Sequence, residues 1–299
     1  MEPAYLSLAR SGELSRRVEQ AYAMLENCSL CPQGCKAQRR AGKLGVCRTG
    51  ERARVADFFP HHGEEPTLSG RNGSGTVFFA GCNLRCVFCQ NWDISQANQG
   101  RELEPVGLAE IFLRLQGMGC HNINLVSPSH VVPQVLAAAE IAARTGLRLP
   151  LVFNTGGYDS LEALALLDGI IDLYLPDMKY ANTRTAHLYS GARHYPQVNQ
   201  AAVKEMYRQV GDLTLDENGL AARGLLVRHL ILPNRLAGTR EIVRFLAEQV
   251  SPHTSLNLMG QYHPAHKAAA IPALNRPIRA EEAAQALQLA LAAGLSRLH

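Results

Sequence analysis

From residue 76 onward, short apolar runs alternate six times with stretches of helical periodicity. The runs are TVFFAG, INLVSP, LPLVFN, IIDLYLPD, LLVRHLIL and LNLMGQ; the helical stretches fall near 107–117, 131–144, 160–167, up to about 210, 239–249 and 280–293. Near-continuous apolar strands separated by helices describe a parallel sheet covered on both faces, and right-handed crossovers curl six such units towards an incomplete barrel. The expected fold is therefore α/β, a partial (β/α)6 TIM-like barrel with an N-terminal cysteine-rich extension, its chemistry on the loops after the strands' C-terminal ends. The division expected is an extension over residues 1–70 and a barrel over 71–299. Leu14, Val18, Ala21, Tyr22 and Leu25 recur at helical spacing and predict an amphipathic helix over 12–27 in the extension. One segment, LTLDENGLAARG, breaks the alternation; Asn218-Gly219 predicts a hairpin turn before the fifth strand.

Charge and hydropathy exclude several classes. Thirty Lys and Arg against 26 Asp and Glu give a net +4 without a basic block, so nucleic-acid binding is not expected. No apolar run approaches the roughly 20 residues that span a bilayer, and the opening MEPAYLSLARSGELSRR lacks a secretory pattern. A cytoplasmic protein without membrane association is expected.

Seven of the eight cysteines lie in two tight groups between residues 28 and 89, a spacing that suits metal or cluster chemistry better than disulfides. Cys120 stands alone before an apolar run and reads as a core residue. In FAGCNLRCVFCQN, Cys82, Cys86 and Cys89 form C-x3-C-x2-C directly after the first barrel strand. Three thiolates can each hold one iron of a cubane and leave the fourth iron open, whereas an electron-transfer or structural site closes with four ligands. The competing reading is a zinc knuckle that borrows His61, His62 or His130. Upstream, Cys28, Cys31, Cys35 and Cys47 form C-x2-C-x3-C-x11-C, enough for a closed site; a second [4Fe-4S] cluster and zinc both fit four cysteines.

C-x3-C-x-aromatic-C, with Phe88 before the last cysteine, resembles the signature of the radical S-adenosylmethionine (SAM) superfamily. Over roughly residues 76–299 the chain resembles the activating-enzyme branch, pyruvate formate-lyase activating enzyme and its relatives. Asp177-Met178-Lys179 matches that branch's D-x-K near the SAM methionine moiety, Arg228 in LVRHLILPN its V-R-x-x-x-x-P beside the adenosine, and Tyr262-His263-Pro264 with His266-Lys267 its Y-H-x-x-x-x-K. Two departures stand out: Ser127-Pro128-Ser129-His130 replaces Gly-Gly-Glu after the second strand, and Asn154, followed by Thr155, replaces an acidic residue after the third. The resemblance implies a [4Fe-4S] cluster on Cys82, Cys86 and Cys89, with SAM held by Asp177, Lys179, Asn154 and His263 and secondarily by Ser127 and Arg228. It implies reductive cleavage of SAM, an electron donor of flavodoxin or ferredoxin type, and a protein substrate such as a glycyl radical enzyme. Radical modification of a small molecule or peptide, and a non-catalytic iron-sulfur or zinc-binding redox protein, are the alternatives.

Overall fold

The computed structural model describes residues 2–299. Six parallel strands form its centre in the order β2 (Ser74–Phe79), β4 (Ile123–Val126), β5 (Leu151–Thr155), β6 (Leu173–Pro176), β8 (Ala221–Leu230) and β9 (Ser255–Met259). These are the six apolar runs, and the helices Pro105–Gly117, Val132–Arg144, Leu161–Leu167, Thr183–Ser190 with Tyr195–Val210, Thr239–Gln249 and Ala280–Ala292 follow them in turn. The mixed α/β fold with its parallel sheet is the partial barrel expected. Among the described residues no helix is long and apolar enough to cross a membrane.

Side-chain alternation along the strands separates two buried layers. Leu151 and Phe153 of β5, Tyr174 of β6, and Leu225 and Val227 of β8 pack in the larger core with the helices. Val152, Leu173, Leu175 and Leu226 face the other way and pack with Leu68. Continuing that second face by two-residue steps towards the strands' C-terminal ends reaches Asn154, Asp177 and Arg228, so the inner face turns from aliphatic to polar at one end.

Three further strands complete the sheet, and of these only the β7 hairpin arm was expected from the sequence. β1 (Ala53–His61) runs antiparallel to β2, β3 (Arg101–Leu103) antiparallel to β1, and β7 (Thr214–Leu215) antiparallel to β8. The β7–β8 turn is the hairpin read at Asn218-Gly219, with the Gly219 N–H donating to the Asp216 carbonyl and Gly219 at φ +76°. β1 lies within residues 1–70 yet belongs to the barrel's sheet. The helix expected over 12–27 is Glu13–Ala23, and a further helix, Tyr5–Ser11, precedes it, the two joined at Gly12 (φ +81°). They rest on the barrel through buried Tyr5 and Leu14, the Tyr5 hydroxyl donating to the Leu149 carbonyl (3.0 Å) and the Ala4 N–H to Asp172 (2.9 Å).

An ion-pair network links the two sides of the curl. Glu64 and Glu65, just beyond β1, both pair with Arg228 of β8, and Glu65 also accepts from Asn257 of β9 (2.7 Å). Burial raises the Glu65 carboxyl, but the hydrogen bond and charge of Arg228 prevail and hold it below the usual carboxylate range. Removing the cation strands two buried carboxylates. Arg228→Met is accordingly expected to cost roughly 3–5 kcal/mol in denaturant unfolding at neutral pH; a loss below about 1 kcal/mol would mean that water already screens the pair.

Candidate active site

Cys82, Cys86 and Cys89 sit on the loop that leaves β2, at the polar end of the inner face. Hydrogen-bond donors point at their sulfurs: the Leu84 N–H at Cys82 (3.4 Å) and the Ser190 hydroxyl at Cys86 (3.0 Å), while the Ser95 hydroxyl lies 3.2 Å from the Cys89 sulfur. Burial first, and then the neighbouring thiols, push the Cys82 thiol up to about 12; burial likewise lifts Cys86 to about 11 despite the opposing charge of Lys179. Such thiols stay protonated at neutral pH unless an electrophilic metal replaces the proton. Phe88, the aromatic of the signature, is buried edge-on against Tyr180 and Tyr262 (ring centroids 6.4 and 5.9 Å) and anchors the loop. Among the described residues no three His, Cys, Asp or Glu side chains lie within reach of one metal ion; the grouping is one of neighbouring thiols, not a closed single-ion cage.

The three cysteines open onto a cavity of about 450 Å³ whose lining includes Ser127, Asn154, Asp177, Lys179 and Arg228. The structure thus brings together residues from the ends of five strands that the sequence separates by some hundred and fifty positions. Lys179 Nζ lies 2.5 Å from Asp177 Oδ2. Burial pulls the Lys179 ammonium down, yet the charge of Asp177 outweighs it and leaves the group raised and protonated. Ser127 adopts a left-handed conformation (φ +59°, ψ +48°) immediately before Pro128, where extended backbone is preferred. That strain lies at the cavity wall. His263 is exposed and outside the lining, within 3.4 Å of Gln90; Tyr262 and Gln261 from the same loop line the cavity instead.

Several residues that hold this geometry carry no signal in the sequence. The Tyr195 hydroxyl accepts from the Lys179 N–H (3.1 Å) and lies 2.8 and 3.0 Å from the carbonyls of Gly156 and Asp177. Asn199, buried on the same helix, donates to the carbonyls of Gly157 and Asp177 (3.0 and 2.9 Å). One helix therefore ties the ends of β5 and β6 together and sets the Asp177-Lys179 backbone. Glu64 also lines the cavity, and its pairing with Arg228 means that this guanidinium meets the cavity already neutralised.

The signature of the Radical SAM superfamily is matched over residues 76–215. The chain is 31% identical over 293 residues to the uncharacterized protein MJ0674 of Methanocaldococcus jannaschii, covering 95% of this chain and 80% of that protein. The chain belongs to the radical SAM superfamily. Its match does not single out the activating-enzyme branch. Among solved structures, a radical SAM methyltransferase from Sphaerobacter thermophilus superposes with a TM-score of 0.50 at 17% identity, over 75% of this chain and 65% of that one. SuiB of Streptococcus suis bound to its precursor peptide superposes with a TM-score of 0.47 at 11% identity, over 69% and 42%. The chain spans less than two thirds of either structure. Membership brings a [4Fe-4S] cluster and SAM as cofactors, and donor-supported thiols beside a cavity that carries Asn154, Asp177 and Lys179 fit both.

Behind the cavity wall, Asp159 is buried with no cation beside it, accepting from the Thr155 hydroxyl (2.7 Å), which in turn contacts Ser129 (2.9 Å). Burial pushes its carboxyl up to about 6, against the lowering effect of those hydroxyls. A raised folded pKa gives stability that is complete below the unfolded pKa near 4 and lost as pH rises through about 6. Folding stability should fall over that window, and Asp159→Asn should remove roughly 3 kcal/mol of the fall. Asp172, also raised to about 6 by burial, leaves a residual slope. Unfolding curves from pH 4 to 7 that are parallel for wild type and variant would show Asp159 already ionised.

Proposed function

We propose that this chain is a radical SAM enzyme whose catalytic [4Fe-4S] cluster rests on Cys82, Cys86 and Cys89, with SAM in the adjoining cavity. The observation that carries the proposal is the convergence of those thiols with Ser127, Asn154, Asp177, Lys179 and Arg228 on one cavity of about 450 Å³, a size that suits a nucleoside-containing ligand. When bound, the cluster supplies the electron that splits SAM to methionine and a 5′-deoxyadenosyl radical, which takes a hydrogen atom from the substrate. The chain's own part is to bind, orient and exclude water. Asp177 offers a carboxylate to the SAM ammonium, and Lys179 a cation to its carboxylate. Asn154 and Ser127 supply neutral contacts, and Phe88 with Tyr262 shields the cysteine loop from solvent.

Because the motif positions Asp177-Met178-Lys179 and Arg228 meet at this cavity, we take a glycine of a partner protein as the site of hydrogen abstraction. The donor is proposed to be a cytoplasmic flavodoxin or ferredoxin. In support, a groove of about 460 Å³ beside the cysteine loop presents Arg48, Arg85 and Lys267 around Trp92, complementary to an acidic redox protein.

Protein reconstituted anaerobically with iron and sulfide and reduced with dithionite should convert SAM to 5′-deoxyadenosine. Cys82→Ala, Cys86→Ala and Cys89→Ala should each abolish that product, and wild-type protein with a full cluster but no product would return the chain to the non-catalytic alternative. Asp177→Asn and Lys179→Met should weaken SAM binding or cleavage by tenfold or more, about 1.4 kcal/mol or above, with cluster absorbance preserved. Values within twofold of wild type for both would leave the pair a structural ion pair only.

A further inference from the structure

The N-terminal cysteines contain a charge that the rest of the fold leaves unbalanced. Arg39 is 1% exposed, and among the described residues its guanidinium bonds only carbonyls and a cysteine sulfur, no carboxylate. Its guanidinium donates to the carbonyls of Gly50 (3.0 and 2.8 Å) and His130 (2.8 Å) and lies 3.8 Å from the sulfur of Cys28. A buried cation is costly unless an anion accompanies it. Carbonyls satisfy its hydrogens but not its charge, so the candidate anion is on the sulfur side. The local fold delivers this contact: the Cys28 N–H donates to the Ala37 carbonyl (3.0 Å) and the Arg39 N–H to the Leu25 carbonyl (2.9 Å), closing the 28–39 loop on itself.

Cys28 and Cys47 are buried, Cys31 is half-buried and Cys35 exposed. Cys28, Cys35 and Cys47 all lie close enough to Cys31 for charge on one to act on the others. Free thiols, with an ordinary pKa of about 8.5, are mostly neutral at pH 7 and would leave Arg39 without a counter-charge. Four thiolates on a [4Fe-4S]²⁺ core leave a net anion, and because no three of these sulfurs lie within reach of one ion, their spacing fits a cluster and not a single zinc.

The same loop is fastened to the catalytic cysteines. Gly81, one residue before Cys82, is at φ +82°, and a side chain there would strike the Cys47 carbonyl at 2.5 Å and approach the Thr49 hydroxyl at 3.0 Å. The Gln33 amide donates to the carbonyls of Asn83 (2.8 Å) and Gly191 (3.2 Å). His130, whose carbonyl accepts from Arg39, places its ring nitrogen 3.0 Å from the Ala80 carbonyl.

We propose that Cys28, Cys31, Cys35 and Cys47 hold an anionic metal–thiolate centre whose counter-cation is the buried Arg39, and that this centre braces the Cys82 loop against the barrel. Arg39 is a positioning residue: it acts through the thiolates and touches no substrate.

The test reads metal and stability, not SAM cleavage, so it is independent of the function proposed above. The full chain carrying Cys82→Ala, Cys86→Ala and Cys89→Ala is expected to retain about four irons with sulfide per chain. No iron after reconstitution with iron and sulfide, or about one zinc bound in its place, would overturn the proposal. In that background Arg39→Met should speed metal release to a chelator at least tenfold, with Arg39→Lys in between. It should also lower the melting temperature more in metal-loaded than in stripped protein. Release within twofold of the parent, or equal melting losses with and without metal, would confine Arg39 to bonding carbonyls and overturn its role as counter-cation.

Discussion

Arg228 and the carboxylates of Glu64 and Glu65 hold together two ends of a sheet that hydrogen bonding leaves open. A partial barrel has no last strand to pair with its first, so its inner face needs another means of closure. Here Glu65 reaches from the segment after β1 to both Arg228 of β8 and Asn257 of β9. This fixes the width of the interior, and with it the separation between the cysteine loop after β2 and the Asp177-Lys179 pair after β6. A buried ion pair is a poor source of net stability but strongly penalises any arrangement that separates its members. Its contribution is the spacing of the site.

Above that bridge, the site depends on polar groups whose hydrogen bonds are already committed. Asn199 and Tyr195 occupy the carbonyls at the ends of β5 and β6, which leaves the side chains of Asn154, Asp177 and Lys179 to meet a ligand. The strained backbone at Ser127 belongs to the same rim. A left-handed conformation at a residue other than glycine is costly, so the surrounding fold must hold it there. The thiols add a complementary demand: burial holds Cys82 and Cys86 protonated until a metal centre displaces the protons, which couples cluster assembly to the local order of two loops that touch at Gly81 and Cys47.

Much of this was legible in the amino-acid sequence. Six apolar runs and the helices between them define the parallel sheet, because burial on both faces demands near-continuous apolar strands. The two cysteine spacings, the D-x-K after the fourth barrel strand and the Asn-Gly turn at 218–219 are local features, set by residues within a few positions of one another. Cys120 is buried as its apolar surroundings suggest. The polar ends of the barrel strands, Asn154, Asp177 and Arg228, follow from the same two-residue alternation.

What the tertiary structure decided are pairings between distant residues. β1 reads poorly because it lies near the sheet edge, with only Ala53 and Val55 buried and Pro60 within it; only its ladder with β2 makes it a strand. The helix Tyr5–Ser11, ahead of Gly12, was not read from the sequence; it is held in place by the contacts of buried Tyr5 with the barrel. The motif Tyr262-His263 contributes Tyr262 to the cavity and turns His263 to solvent, a choice of direction that residue identity does not encode. Glu64 and Glu65 meet Arg228 across more than 160 positions, and Arg39 meets Cys28 with no carboxylate bonded to its guanidinium. Local spacing records what a few consecutive residues can bind. Which charges are buried together, and so which must be neutralised, depends on how the chain closes on itself.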